Sequence, residues 1–200
     1  MNQRTVRTFL YMPHISQVGD TLLVSTTGMM QEIQNEEVTV ASITKIVAGA
    51  IITIKERLEY DHYGGSADAR LNGEVSVLSH NIRIVGDNSN EQHALCAAAM
   101  AKIQFISAEQ SQVLREQCYG GHTAATEGAT FQLSNVELRR VGQATRIARY
   151  AVHYHLAKDT GVLGSYVRNS SIWESYQRCV TLHGTWGGVV EDNVCYKVRK

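Results

Sequence analysis

The chain carries a single proline, Pro13, in 200 residues, against 16 glycines. With so little proline, its many short β-branched runs are broken by Gly, Asn and Asp, the texture of repeated strands and tight turns. Long apolar runs are missing too. The longest, "IVAGAIITI" at 46–54, is strand-sized and far below the ~18 residues of a membrane-crossing helix, so no membrane insertion is expected of this segment. Net charge is absent: 19 basic and 19 acidic side chains cancel, which removes a global pull toward nucleic acid or an anionic bilayer. The opening "MNQRTVRTFLYMPHISQ" has no apolar stretch of the secretory-signal kind.

Several catalytic signatures are also lacking. "YGGH" and "GTWGG" have no G-K-[ST] for a phosphate loop, and there is no G-x-S-x-G elbow. The four cysteines (Cys96, Cys118, Cys179, Cys195) form no C-x-x-C pair, which argues against a zinc ribbon. In an oxidising compartment they permit two disulfides by any of three pairings, among which the sequence does not choose. Cys179 and Cys195 are expected to pack against the core. Glu191 and Asp192 are the nearest acidic pair, but Asp192 reads as a turn residue, so the paired carboxylates of a glycosidase are not in evidence.

What is present is a 44% hydrophobic chain, enough for one full core. Strands are expected at 20–26, 36–43, 50–56 and 57–63, two more within 73–90, and again from 128 onward. Between them, residues 91–117 are alanine-rich without glycine or proline and read as a helical insertion or a partly ordered loop. "HNIRI", "SNVEL", "RNSSI" and "EDNVC" each set Asn or Asp before an apolar strand, and Val167 and Val190 lie 23 residues apart. A repeat of about 20–25 residues suits one coil of a parallel β-solenoid, with asparagines at the corner, stacked or simply favoured in turns.

In "RYAVHYHL" (149–156) strand alternation places Arg149, His153 and His155 on one face and Tyr150, Val152, Tyr154 and Leu156 on the other. The second set is expected inward, since burying two imidazoles and a guanidinium instead costs several kcal/mol, on the order of 2–7 for each unpaired polar group. In "CVTLHGT" (179–185) the face of Val180 and Leu182 opposes that of Cys179, Thr181 and His183. His183 follows His155 by 28 residues, about one coil and a loop. With coils ~4.8 Å apart, His153, His155 and His183 share one outer surface. Three imidazoles there can bind a divalent metal or shuttle protons at a glycosidic oxygen. "RRVGQATRIAR" adds Arg139, Arg140, Arg146 and Arg149 with no acid among them, a set suited to carboxylates on a polymer or to a solvated basic loop.

"NVELRRVGQATRIARYAVHYHL", "GSYVRNSSIWESYQRCVTLHGTWGGVVEDNV" and "GGH" (120–122) resemble the β-helix region of large extracellular proteins: fibrocystin, the cell-migration-inducing hyaluronidase and the transmembrane cell-surface hyaluronidase. "VGDTLLVSTTGMMQEIQNEEVTVASI" and "NGEVSVLSHNIRIVGD" are similar to stretches preceding that region. The resemblance implies an all-β, right-handed parallel β-helix over 1–200, shortened at both ends and missing flanking domains, with 91–117 inserted. It further implies an extracellular or cell-surface location and an anionic, hyaluronan-like polysaccharide as partner. Two roles follow from it, a hyaluronidase-like depolymerase and a non-catalytic structural segment of a fibrocystin-like ectodomain. Where the family tends to have histidine, this chain has Trp173 and Trp186.

Overall fold

The computed structural model describes residues 5–8, 17–28, 34–47, 49–64, 73–87, 89–101, 107–159 and 164–199. Most of the stretch read for a secretory signal lies outside these residues. The chain separates into two units, 1–79 and 80–200.

In the first unit five strands, β1 (Thr5–Thr8), β2 (Thr21–Val24), β3 (Glu36–Ile46), β4 (Gly49–Ile54) and β5 (Val75–Val77), form one sheet in the order β1-β4-β3-β2-β5. Alternation sets its buried face: Leu22, Val24, Val38, Val40, Ile52 and Ile54 form one apolar cluster. Every pairing is antiparallel. The expectation of a parallel coil running through 1–79 is therefore corrected. The reason is local: only residues 47 and 48 separate β3 from β4, and so short a link can join antiparallel neighbours but never a parallel pair. Residues 57–63, expected as a strand, are not one either. The amides of Glu59 and Tyr60 donate to the Glu36 carboxylate at 2.7 and 3.1 Å rather than to a neighbouring strand.

The second unit contains β6 (Ile82–Val85), α1 (Asn90–Met100), α2 (Ala108–Gln117), β7 (Thr123–Ala125), β8 (Gln132–Ser134), β9 (Val136–Arg139), β10 (Val152–Lys158), β11 (Tyr166–Arg168), β12 (Ser171–Trp173), β13 (Val180–Thr185), β14 (Val189–Glu191) and β15 (Val194–Tyr196). They build three parallel sheets, β13-β10-β7, β14-β11-β8 and β15-β12-β9-β6. From β7 onward successive strands go to the three sheets in turn, so each pass of the chain adds one strand to every face. Val167 pairs with Val190, as the 23-residue offset requires.

The asparagine positions are corners. Asn135, Asn169 and Asp192 have φ of 58°, 49° and 52°, and each stands between one sheet and the next. Asn and Asp tolerate this left-handed conformation better than most side chains. Asn193 also ties adjacent passes together, donating to the Val167 carbonyl at 2.7 Å and accepting from the Ser170 amide at 3.1 Å. A second corner recurs at Arg140, Glu174 and Lys197, with φ of 55°, 51° and 49°. Inside, Val136, Leu138, Val152, Tyr154, Val167 and Ile172 stack as the core.

Within 91–117 the described residues form α1 and α2, in keeping with the helical reading. Ser89 caps α1, and Ser107 with Gln110 forms a capping box on α2. Cys96, Met100, Leu114 and Cys118 pack with Ala144 and Tyr176 into a small satellite core. The disulfides are Cys96–Cys118 and Cys179–Cys195, which settles the pairing. Cys179 is buried, but Cys195 is exposed, contrary to the expectation for it. It pairs with the fully buried Ile172, yet β15 is the outermost strand of its sheet and leaves it uncovered.

Candidate functional site

β10 and β13 are adjacent parallel strands, with His155 directly beside His183. Val152 and Tyr154 fill the core, as alternation predicts, so His153 and His155 project from the opposite side. One ring nitrogen from each of His153, His155 and His183 lies within 4.8 Å of the other two. The Nδ1 atoms of His155 and His183 are 3.2 Å apart.

The three rings differ in burial: His153 is 3% exposed, His155 half-buried and His183 exposed. His153 lies beneath the loop before β10. Its Nδ1 donates to the Ala148 carbonyl at 3.2 Å, and the Tyr150 ring meets it edge-on with centroids 4.8 Å apart. That hydrogen bond fixes the tautomer and leaves Nε2 as the lone-pair nitrogen. Nε2 is buried and has no hydrogen-bond partner among the described residues. Burial, then the neighbouring His155, pushes the His153 pKa below the ordinary imidazole value, so the ring is neutral near pH 7.

Three expectations about faces are corrected. His153 is not on an open surface; the loop closes over it. Tyr150 is buried, as expected, but against the His153 ring rather than within the main apolar cluster, because β10 begins at Val152 and alternation does not reach back to it. Leu156 is 49% exposed, because the register shifts between His155 and Lys158 and Leu156 takes a φ of 49°. Leu182 is also half exposed, since β13 is the outer strand of its sheet.

The four arginines do not form one surface. Arg149 meets a fourth histidine: its Nη1 lies 3.2 Å from Nε2 of His122, which precedes β7 in the neighbouring pass. Arg149 has no carboxylate partner among the described residues. His122 was missed because it stands before a strand rather than on one; its signal is the pairing of the next residue, Thr123, with Val152. Burial, then Arg149, lowers its pKa. Arg139 and Arg140 are instead committed to Glu174, with Nε–Oε2 distances of 2.7 and 3.2 Å. Arg139 also stacks on Trp173 at 4.0 Å, and Arg140 donates to Asn90 at 2.6 Å. Arg146 lines a shallow cleft beside α2 with Gln112, Arg115 and Tyr119. The acid that neutralises the first pair is invisible in the local sequence because it stands one pass away.

Glu174 gives a pH signature. Burial opposes its charge, but Arg139, His93 and Arg140 outweigh burial and hold its carboxyl below the usual range. His93, whose Nε2 is 3.5 Å from Glu174, is held below the imidazole value by burial, which Glu174 only partly offsets. Both folded pKa values lie below the unfolded ones, so the unfolded chain binds more protons and stability falls on acidification. The His93 share is present above about pH 6.5 and the Glu174 share above about pH 4.3; each is lost as pH falls through its folded value. Urea midpoints across this range are expected to drop in two stages, with His93→Gln flattening the upper and Glu174→Gln the lower.

Residues 118–199 match the family model described as CEMIP beta-helix. The chain is 34% identical over 186 residues to a G8 domain-containing protein of Dictyostelium discoideum, covering 92% of this chain and 11% of that protein. It is 30% identical over 202 residues to human Fibrocystin-L, covering 90% of this chain and 5% of the relative. With human Cell surface hyaluronidase CEMIP2 it shares 30% identity over 183 residues, 88% of this chain and 12% of that one. The chain thus spans a small fraction of the length of these relatives. The resemblance to the fibrocystin and cell-surface hyaluronidase superfamily, read from the residues, is shown by these matches.

Proposed function

We propose that residues 80–200 form a right-handed parallel β-helix of an extracellular protein, and that its β10–β13 face binds and depolymerises a hyaluronan-like anionic polysaccharide. The observation that carries the reading is the cluster of three imidazoles, with Arg149, which has no carboxylate partner among the described residues, held against His122 of the neighbouring pass. Arg149 offers a planar fork to a uronate carboxylate, and the histidines stand where a neighbouring glycosidic oxygen would lie. Two disulfides fit an oxidising, extracellular setting. The second reading, a structural segment of a receptor-like ectodomain, is favoured by the commitment of Arg139 and Arg140 to Glu174, which removes half of the arginine set from ligand binding.

The test is incubation with high-molecular-weight hyaluronan, with and without divalent metal, followed by sizing of the polymer and by retention on a hyaluronan column. Retention is expected, and Arg149→Ala is expected to weaken it about tenfold or more, the worth of a charge-assisted hydrogen bond. No retention and no shortening would leave the structural reading in place.

A further inference from the structure

We propose that His153, His155 and His183 form a three-nitrogen site for a divalent transition metal of the zinc class, with one coordination position left open. The inference deepens the reading of the same face but does not depend on any polysaccharide being bound there.

The geometry is close to what such an ion needs. Zinc–nitrogen bonds of about 2.0–2.1 Å in a tetrahedron place ligand nitrogens about 3.3 Å apart. The His155 and His183 Nδ1 atoms already stand at 3.2 Å, and all three candidate ligand atoms lie within 4.8 Å. Small rotations of two rings that are half-buried and exposed would close the remainder. Their spacing is fixed by backbone, since His155 and His183 are directly paired in a parallel ladder.

His153 supplies an independent observation. A buried ring nitrogen without a partner is costly to keep. Its Nε2 has no hydrogen-bond partner among the described residues, and the Ala148 carbonyl holds the ring in the tautomer a ligand requires. Metal-binding histidines characteristically donate their second nitrogen to a carbonyl or carboxylate in this way.

The donor chemistry selects the ion. Imidazole suits zinc, copper, nickel and cobalt, whereas calcium and magnesium need oxygen ligands, which this set does not provide. His122 is not counted, because the Arg149 guanidinium already occupies it. Three histidines leave a fourth position for water or a sugar oxygen, as in catalytic rather than structural zinc sites.

The experiment uses the whole chain, stripped with chelator, freed of any affinity tag and titrated with Zn²⁺ by calorimetry and with Co²⁺ by visible absorption. One equivalent is expected, with tetrahedral cobalt absorption and a thermal midpoint that rises with zinc concentration. His155→Ala and His183→Ala are expected to weaken zinc binding by about 100-fold or more, with metal-free thermal midpoints unchanged. These two are chosen because His153→Ala removes a buried ring and can unfold the chain. His62→Ala, in the other unit, is expected to leave the stoichiometry unchanged. Absence of a stoichiometric site, equal binding by the His155 and His183 variants, or occupancy by Ca²⁺ in place of Zn²⁺ would overturn the proposal. A chain that binds zinc but ignores hyaluronan overturns the polysaccharide reading alone. The converse result overturns the metal site alone.

Discussion

Gly120→Ala is expected to destabilise the second unit by about 3 kcal/mol, at the upper end of what overpacking costs. A Cβ at this position would lie 1.9 Å from the Arg140 carbonyl oxygen and 3.1 Å from the Val141 Cα, both backbone atoms. Neither side can step back. Arg140 is 8% exposed, has a φ of 55°, donates its amide to the Trp173 carbonyl and is held through its side chain by Glu174 and Asn90. On the other side the Gly120 amide donates to Gly142 at 2.7 Å, Gly142 donates back to Gly121 at 2.7 Å, and the Cys96–Cys118 bridge anchors the chain two residues earlier. A Cβ on Gly86 would meet the same oxygen at 2.0 Å, so this carbonyl requires two glycines from different parts of the sequence. Urea unfolding provides the measurement, and Gly121→Ala is the control. Nothing lies within 4 Å of a Cβ there, and its effect is expected to stay within about 0.5 kcal/mol. Equal losses at 120 and 121 would show that the collision is not the cause.

The parts of this fold that were legible in the sequence are those that repeat. Apolar alternation located most strands, and the 23-residue step from Val167 to Val190 gave the true pairing, because both depend on periods that the chain itself displays. The asparagine corners were legible for the same reason. Strand direction in 1–79 was not read, although the two-residue gap after Ile46 carried it. Alternation describes a strand's two faces and says nothing about its neighbour's sense. At the site, the alignment of His155 with His183 followed from their offset of about one pass. The outward turn of Leu156 did not, because it comes from a bulge that no pattern marks. The arginines show the limit most clearly. A guanidinium's availability depends on acids brought to it by the fold, and Glu174 reaches Arg139 across 35 residues.

Replacing Cys96 and Cys118 together by serine is expected to cost about 3 kcal/mol and to act on the helices first. The separation of 22 residues sets the size: closing such a loop restricts the unfolded chain by about that amount at 25 °C. The location sets the selectivity. Both cysteines are 1% exposed and belong to a satellite core with little else in it than Met100, Leu114, Ala144 and Tyr176. The substitution thus removes a cross-link and places two hydroxyls in a small apolar cluster. Hydrogen exchange is the discriminating measurement, since it resolves local opening. Amides of α1 and α2 are expected to lose protection while those of β10 and β12, each paired on both sides, keep theirs. The second bridge is expected to behave differently. Cys195 is exposed, so mild reductant reaches Cys179–Cys195 in the folded chain and leaves Cys96–Cys118 closed. Cys179 immediately precedes β13, so opening that bridge loosens the strand that carries His183 and is expected to weaken zinc binding without exposing the helices. Thiol labelling followed by mass spectrometry gives the order of opening. Simultaneous labelling of all four cysteines, or loss of protection in β10 together with the helices, would mean that the unit opens as one body and that the helical layer has no separate stability.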